Sequence, residues 1–325
     1  MQTHKPYILS LATLPAHEML RTPITLLLTV TAACSTLITP LVIAFQFGDT
    51  GRRLVRDGGL GLQLTIGTIL AATCACTLIR RERESGITAM LLTKPVSRPW
   101  YLLSRFLGIG MIILLFTAII TPATMLAHRA AEAFHPEIGF KTDTLAALSG
   151  LLCIPLACLT GGWYNWKKRY SFHAVTYLTL PAYLAGACLL AGFYTRSGSF
   201  TRAYQPDLDL RIIVAALSLM LVLLIFAAMA LSMSTYLPPV STALVCLMIL
   251  FGGFSTPLLL SQTTSLQPLV ALLPNWNLFW LTEAMDTSEQ HLPFRFLLAS
   301  GYGLLWLSAT VLLGMTLMKR VEVPS

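Results

Sequence analysis

The sequence predicts an all-α polytopic membrane protein with about eight transmembrane helices. Three observations carry that prediction. Only 11% of the 325 residues are charged and the mean hydropathy is +0.72, whereas a soluble domain is about a quarter charged. Apolar runs of about twenty residues, the length a helix needs to cross a bilayer core, recur along the chain. Basic residues gather in alternate connections between those runs, as the positive-inside rule requires of membrane helices.

The elements follow in order. Residues 1–22 are expected to be an interfacial segment, with Ile8, Leu11, Leu14 and Leu20 among polar residues and Pro15 interrupting or starting a helix along the membrane surface. The first span is placed at 23–47. It is too long for a signal peptide and lacks a small-residue cleavage pattern, so it is expected to stay in the mature chain. Residues 48–59 read as a short polar loop and 60–79 as the second span. The charged stretch 80–100 follows, and then the third span at 101–127. The fourth span, 144–163, ends at Trp166-Lys167-Lys168-Arg169. The fifth and sixth lie at 174–194 and 212–233, and a tight turn at 234–239 leads to the seventh at 240–260. Residues 261–295, with Pro274, Trp276, Phe279 and Trp280, read as an amphipathic segment resting on the outer surface. The eighth span, 296–318, is closed by Lys319 and Arg320. The count falls to six if the 153–194 hairpin only half-enters the bilayer. The whole chain is expected to form a single transmembrane domain.

The charge asymmetry orients the chain. With both termini in the cytoplasm, 13 of the 22 Lys and Arg residues but only four of the 14 acidic ones lie inside, a net +9 against −1 outside. The overall charge of +8 is thus a signature of membrane orientation, and nucleic acid is not needed as a partner. All seven cysteines fall in apolar runs and read as core thiols without a disulfide framework. Cys74 and Cys76, two apart, point to opposite sides of a helix and make a poor metal pair.

Chemistry-bearing residues are sparse. Ion-coupled carriers keep ionisable groups inside the membrane, and no mid-span position here holds one; Arg105, at the start of the third span, is placed within reach of the interface. Of the six histidines, only His128 and His135 group with an acid, Glu132, at helical spacings of four and three. That set is a weak candidate metal site on one helix face, and a solvated polar face explains it equally well. No residue is assigned a catalytic role. Trp163, Tyr164 and Trp166 read as an interfacial aromatic belt. The glycine pairs Gly161-Gly162 and Gly252-Gly253 read as sites of close helix packing.

The stretch from Arg80 to Trp100 is the densest charge cluster in the chain. Charged residues come first, then the apolar piece from Ile87 to Leu92, then Pro95 and Pro99. This pattern predicts a helix end, a tight turn at Gly86, a short surface helix and a proline-marked return to the bilayer. The string Glu82-Arg83-Glu84-x-Gly86, followed by Leu91-Leu92 and Pro95-Val96-Ser97-Arg98, resembles the coupling loop of ABC-2 type transporter permeases. The chain departs from that family's pattern at Ile87-Thr88 and at Ala89. The resemblance implies a loop that follows the second membrane helix and meets a separate ABC ATPase. Glu82, Arg83, Glu84, Gly86, Ile87, Met90, Leu91, Pro95 and Arg98 would be its contact and shaping residues. It also implies a homodimer, or a heterodimer with a related permease, in the plasma membrane, with a bacterial inner membrane favoured, and export rather than import.

The chain carries no G-x-x-x-x-G-K-[ST] phosphate loop and no stretch large enough for a nucleotide-binding domain. No cofactor is therefore expected in it, and ATP and magnesium would belong to the partner ATPase. Two other classes of function compete with this reading. An integral membrane enzyme acting on lipid-linked substrates would need the His128 group, and an ion-coupled secondary carrier would need charge within the spans.

Overall fold

The computed structural model describes residues 5–43, 49–84, 98–131, 133–135, 139–195, 199–200, 204, 207–234, 236–257, 274–287 and 292–320. Ten α-helices account for most of them: α1 Lys5–Leu20, α2 Pro23–Val42, α3 Asp49–Glu84, α4 Arg98–Ala130, α5 Thr144–Lys168, α6 Phe172–Ala191, α7 Arg211–Met233, α8 Pro239–Phe254, α9 Thr282–Thr287 and α10 Leu292–Arg320. Between α4 and α5 lies a small antiparallel hairpin, β1 Ala133–His135 and β2 Gly139–Lys141, with Phe134 opposite Phe140. A 3₁₀ turn spans Trp276–Phe279.

Among the described residues, seven helices are long and apolar enough to cross a membrane: α2 to α7 and α10. Helix α8, expected as a span over 240–260, has 16 residues. At 1.5 Å per residue it is about 24 Å long, short of a core of about 30 Å. The polar stretch 48–59 differs more sharply from expectation. From Asp49 onward it is helical and continuous with the second span, making α3 a helix of 36 residues. Tertiary packing overrides the glycine-rich, charged local sequence here. A Cβ on Gly59 would come within 2.7 Å of Thr124 and 3.2 Å of Thr36, so the absent side chain is what allows α3 to pass so near α2 and α4.

The chain divides into two compact units. One comprises residues 1–19, 67–113 and 218–325, and the other 20–66 and 114–217. In the second unit α5 and α6 form an antiparallel helical hairpin. Its tight link is made by Arg169 in the left-handed region (φ 56°), and Asn165 Nδ2 donates to the Tyr170 carbonyl at 2.7 Å. Gly161 lies directly against Thr176 and Phe172, which is the close packing expected of that glycine pair, while Gly162 faces open space. Trp163 and Trp166 are exposed beside Lys167 and Lys168 at the end of α5, where a belt would place them.

Polar side chains within the spans are mostly satisfied by their own helices. Thr36 and Thr39 in α2, Thr73 and Thr77 in α3, and Thr121 and Thr124 in α4 each donate to the carbonyl four residues earlier at 2.7–2.9 Å. Such back-bonding removes the penalty of a hydroxyl in hydrocarbon. Contacts between helices are fewer, with Thr29 to the Tyr177 hydroxyl at 3.3 Å and Gln63 to the Ala216 carbonyl at 3.1 Å.

In the first unit the segment around Trp276 is anchored in the core. Trp276 and Phe279, expected along the outer surface, are completely buried. Trp276 Nε1 donates to the Ile249 carbonyl at 3.1 Å, its ring lies against Gly253, and Asn277 donates to the Phe254 carbonyl at 3.1 Å. Burying an indole removes a large apolar area from water and meets its single donor at once. Gly253 is thus the floor on which Trp276 rests. Gly253→Leu is expected to expel the indole and lower stability by about 1–3 kcal/mol, read as a drop in melting temperature of the purified protein. The same change at Gly162 should leave the melt unmoved.

Candidate functional site

The charged stretch 80–100 is rooted in a cluster of buried polar side chains. Helix α3 ends at Glu84 and α4 begins at Arg98. Three residues flanking that connection meet inside the protein. Glu82 Oε1 lies 2.6 Å from Arg105 Nε as an ion pair, and Glu82 Oε2 accepts from the Tyr101 hydroxyl. The Arg105 guanidinium also lies over the Tyr101 ring, 4.8 Å from its centroid. All three are buried, Arg105 to 1% exposure.

The spacing along the two helices produces this meeting. Tyr101 and Arg105 are four apart and so share one face of α4, the face turned to the last turn of α3. Ser104, also buried, donates to the Tyr101 carbonyl and places no unpaired hydroxyl beside the pair. A buried charge in a membrane protein is tolerated when a partner neutralises it and hydrogen bonds occupy its remaining lone pairs. Glu82 meets both conditions.

A second layer surrounds the buried pair. Arg81 Nη1 lies 3.6 Å from Glu18 of α1, and the Thr77 hydroxyl donates to the sulfur of Met19 at 3.5 Å. Helix α1 is thereby tied to the same end of α3, with Ala16, Met19 and Leu20 buried and Leu14 exposed. Arg80 and Glu84 pair at 2.7 Å across one turn of α3 with both side chains largely in solvent. The end of α3 therefore presents an inner polar face that fastens α1 and α4 and an outer one that is open. A groove of about 360 Å³ borders the outer face, lined by Cys76, Arg80, Glu84, Ser234, Tyr236 and Pro238 among others.

Several sequence-based expectations are revised by this geometry. Glu82, expected to face a partner protein, has its carboxylate committed internally. Arg105, expected to reach the interface, is held by Glu82 instead. Glu84 remains exposed, as a contact residue should be. Arg83 lies on the last turn of α3 and Arg98 on the first of α4, with their side chains outside the described residues. Gly86, Ile87, Met90, Leu91 and Pro95 also lie outside the described residues, so the expected surface helix does too. The signal that could have found the cluster was Arg105 itself, a cation in an apolar run that must have a counter-charge nearby.

The weak metal candidate does not assemble. Helical spacing was its basis, but α4 ends at Ala130 and His135 lies on β1, so His128 and His135 no longer share a helix face. Glu132 lies outside the described residues. His128 is buried near Arg52, Arg56, Asp207 and Asp209, a mixed-charge setting. Among the described residues, no group of three or more His, Cys, Asp or Glu side chains could hold a metal ion.

Seven helices among the described residues are long and apolar enough to cross a bilayer, which makes the chain an integral membrane protein. Residues 11–162 match the family model described as ABC-2 family transporter protein. The match takes in the latter part of α1, all of α2 to α4 and most of α5, including the whole 80–100 stretch. No curated protein and no solved structure matches the chain.

The two layers at the end of α3 differ in energetic weight. Arg105→Ala leaves Glu82 buried without its counter-charge and is expected to cost about 3–5 kcal/mol, whereas Arg80→Ala removes an exposed pair worth about 0–1 kcal/mol. Denaturation of the two variants in the same detergent should separate them clearly. A loss for Arg105→Ala no larger than that for Arg80→Ala would show that the inner pair is not a clamp.

Proposed function

We propose that this chain is the membrane-spanning subunit of an ATP-driven exporter, energised by a separate ATPase through the 80–100 segment. The observation that carries the reading is the rooting of that segment. Its two ends are locked together by Glu82, Tyr101 and Arg105. A push on the loop would then reach α3 and α4 as a unit instead of being absorbed by bending at their ends. The tie from Arg81 to Glu18 would bring α1 along. Within this reading Glu82 and Arg105 are positioning residues, and Glu84, Arg80 and the loop between Gly86 and Pro95 form the contact surface. The N-terminal end would lie on the ATPase side, and two permeases, identical or related, would pair with two ATPases. ATP and magnesium would be bound by the partner.

The family match over residues 11–162 supports this reading for transport. The concentration of Lys and Arg in the 80–100 stretch and at the end of α5 supports the orientation. Gentle purification of the tagged protein from its native membrane tests the partnership. A stoichiometric ATPase should accompany the wild-type chain. Glu84→Lys reverses an exposed charge without touching the inner cluster, and should reduce ATPase recovery about tenfold, as loss of about 1.4 kcal/mol at an interface does, with the melting temperature unchanged. Undiminished recovery in a variant reversed at both Arg80 and Glu84 would remove this face from the interface. A wild-type chain that purifies alone from several mild detergents would overturn the ATPase-driven reading itself.

A further inference from the structure

Nine consecutive residues, Gly162 to Tyr170, are exposed at the closed end of the α5–α6 hairpin. They hold four aromatic rings and three adjacent cations, Lys167, Lys168 and Arg169, and residues 144–206 contain no acid. Among the described residues no ion pair engages any of the three cations. The dipole at the end of α5 offsets about half of one positive charge. Most of the charge is therefore unanswered within the chain.

Two of the cations are folded back along the helix. Lys167 Nζ lies over the Trp163 ring, 5.7 Å from its centroid, and Lys168 Nζ lies over the Tyr164 ring at 5.5 Å. Side chains on a helix tilt toward its N-terminus, which for α5 is toward the span. The ammonium groups thus face the bilayer side of the hairpin end, where they remain exposed and free to donate. Toward the start of α5, Leu152, Leu156, Leu159, Trp163 and Trp166 follow one another at spacings of four, three, four and three, which is one face of a helix. All five are 46–81% exposed. From Leu152 to Trp163 the helix rises about 16 Å, close to one leaflet of a core about 30 Å thick. Read along α5, this face is apolar, then aromatic, then cationic.

We propose that this face binds an anionic phospholipid of the leaflet in which α5 ends. Lys167 and Lys168 would donate to the phosphate, the Trp163 and Tyr164 rings would lie at the glycerol level, and an acyl chain would follow the leucines. The order of polarity selects this occupant. A soluble acidic partner could meet the cations but could not follow the leucines into hydrocarbon. A second copy related by a two-fold axis would bring the same cations against one another. A lipid of zero net charge would leave the positive surplus unanswered. The proposal needs only that the chain is embedded in a bilayer and does not depend on the ATPase partnership.

Native mass spectrometry of the full chain, titrated with phosphatidylglycerol or phosphatidylcholine of equal chain length, tests it. The wild type should retain its first phosphatidylglycerol at least about tenfold more tightly than phosphatidylcholine, as three basic residues at an anionic surface provide. The combined variant Lys167→Gln, Lys168→Gln, Arg169→Asn removes the charge, and Asn suits the left-handed backbone at 169. It should keep the wild-type melting temperature and lose the preference. Glycerol phosphate, the headgroup without acyl chains, should not displace the lipid. Equal retention of both lipids by the wild type would mean unspecific annular lipid and would overturn the proposal. A preference undiminished in the combined variant would do the same, and loss of a co-purifying protein or of dimers from that variant would then assign the cations to a protein partner. Displacement of the lipid by glycerol phosphate would also overturn it, since the cations would then form a site for a free anion.

Discussion

Hydrocarbon does not hydrogen-bond, and this constraint shapes the whole molecule. Every backbone amide in a span must be satisfied within the chain, which leaves helices as the economical solution for an all-α membrane protein. The side chains obey the same rule. Threonines in α2, α3 and α4 turn their hydroxyls back onto their own helices. Trp276 enters the core only with its single donor placed on the Ile249 carbonyl. Where charge is taken inside, it is taken as a pair, Glu82 with Arg105 and Arg129 with Asp143.

These two pairs divide the labour of tying helices together. Glu82 and Arg105 fasten α3 to α4 across the 85–97 connection, and Tyr101 completes the carboxylate's shell. Arg129 and Asp143 fasten the end of α4 to the start of α5 across the small hairpin, and the Tyr194 carbonyl brings in the end of α6. In both places a salt bridge ties together two helices that follow one another in the chain. Removing one partner of such a pair is far more damaging than removing the exposed Arg80–Glu84 pair, because an uncompensated charge would remain in a medium that cannot solvate it. Stiff links at the ends of α3 and α4 are also what mechanical transmission from a loop requires.

Much of the architecture was legible in the chain. The low charge content and the recurring apolar runs identified a polytopic helical protein, and the runs located seven of the long helices. The motif from Glu82 to Arg98 pointed to the ABC-2 permeases, and the family match over residues 11–162 agrees with it. Other features were hidden because they depend on contacts distant in sequence. The stretch beginning at Asp49 looks like a loop, with charges and glycines throughout, yet it is helical, and Gly59 packs closely against Thr36 and Thr124. The expected surface role of Trp276 rested on the amphipathic character of residues 261–295; its burial depends on Gly253 and Ile249, more than twenty residues upstream.

Glu82 shows where the division falls. The sequence by itself determined that this residue ends an apolar run, stands beside a charged stretch and sits in a motif that resembles one of the ABC-2 permeases, since periodicity, hydropathy and motif spacing are local properties. Only the tertiary structure decided that its carboxylate turns inward to Arg105 and Tyr101 while Glu84, two residues on, turns outward. The two residues lie on different faces of the same helical turn, and which face is buried is set by the helices packed around it. Composition determined that charges inside the bilayer would be few; packing decided which of them are paired, and with whom.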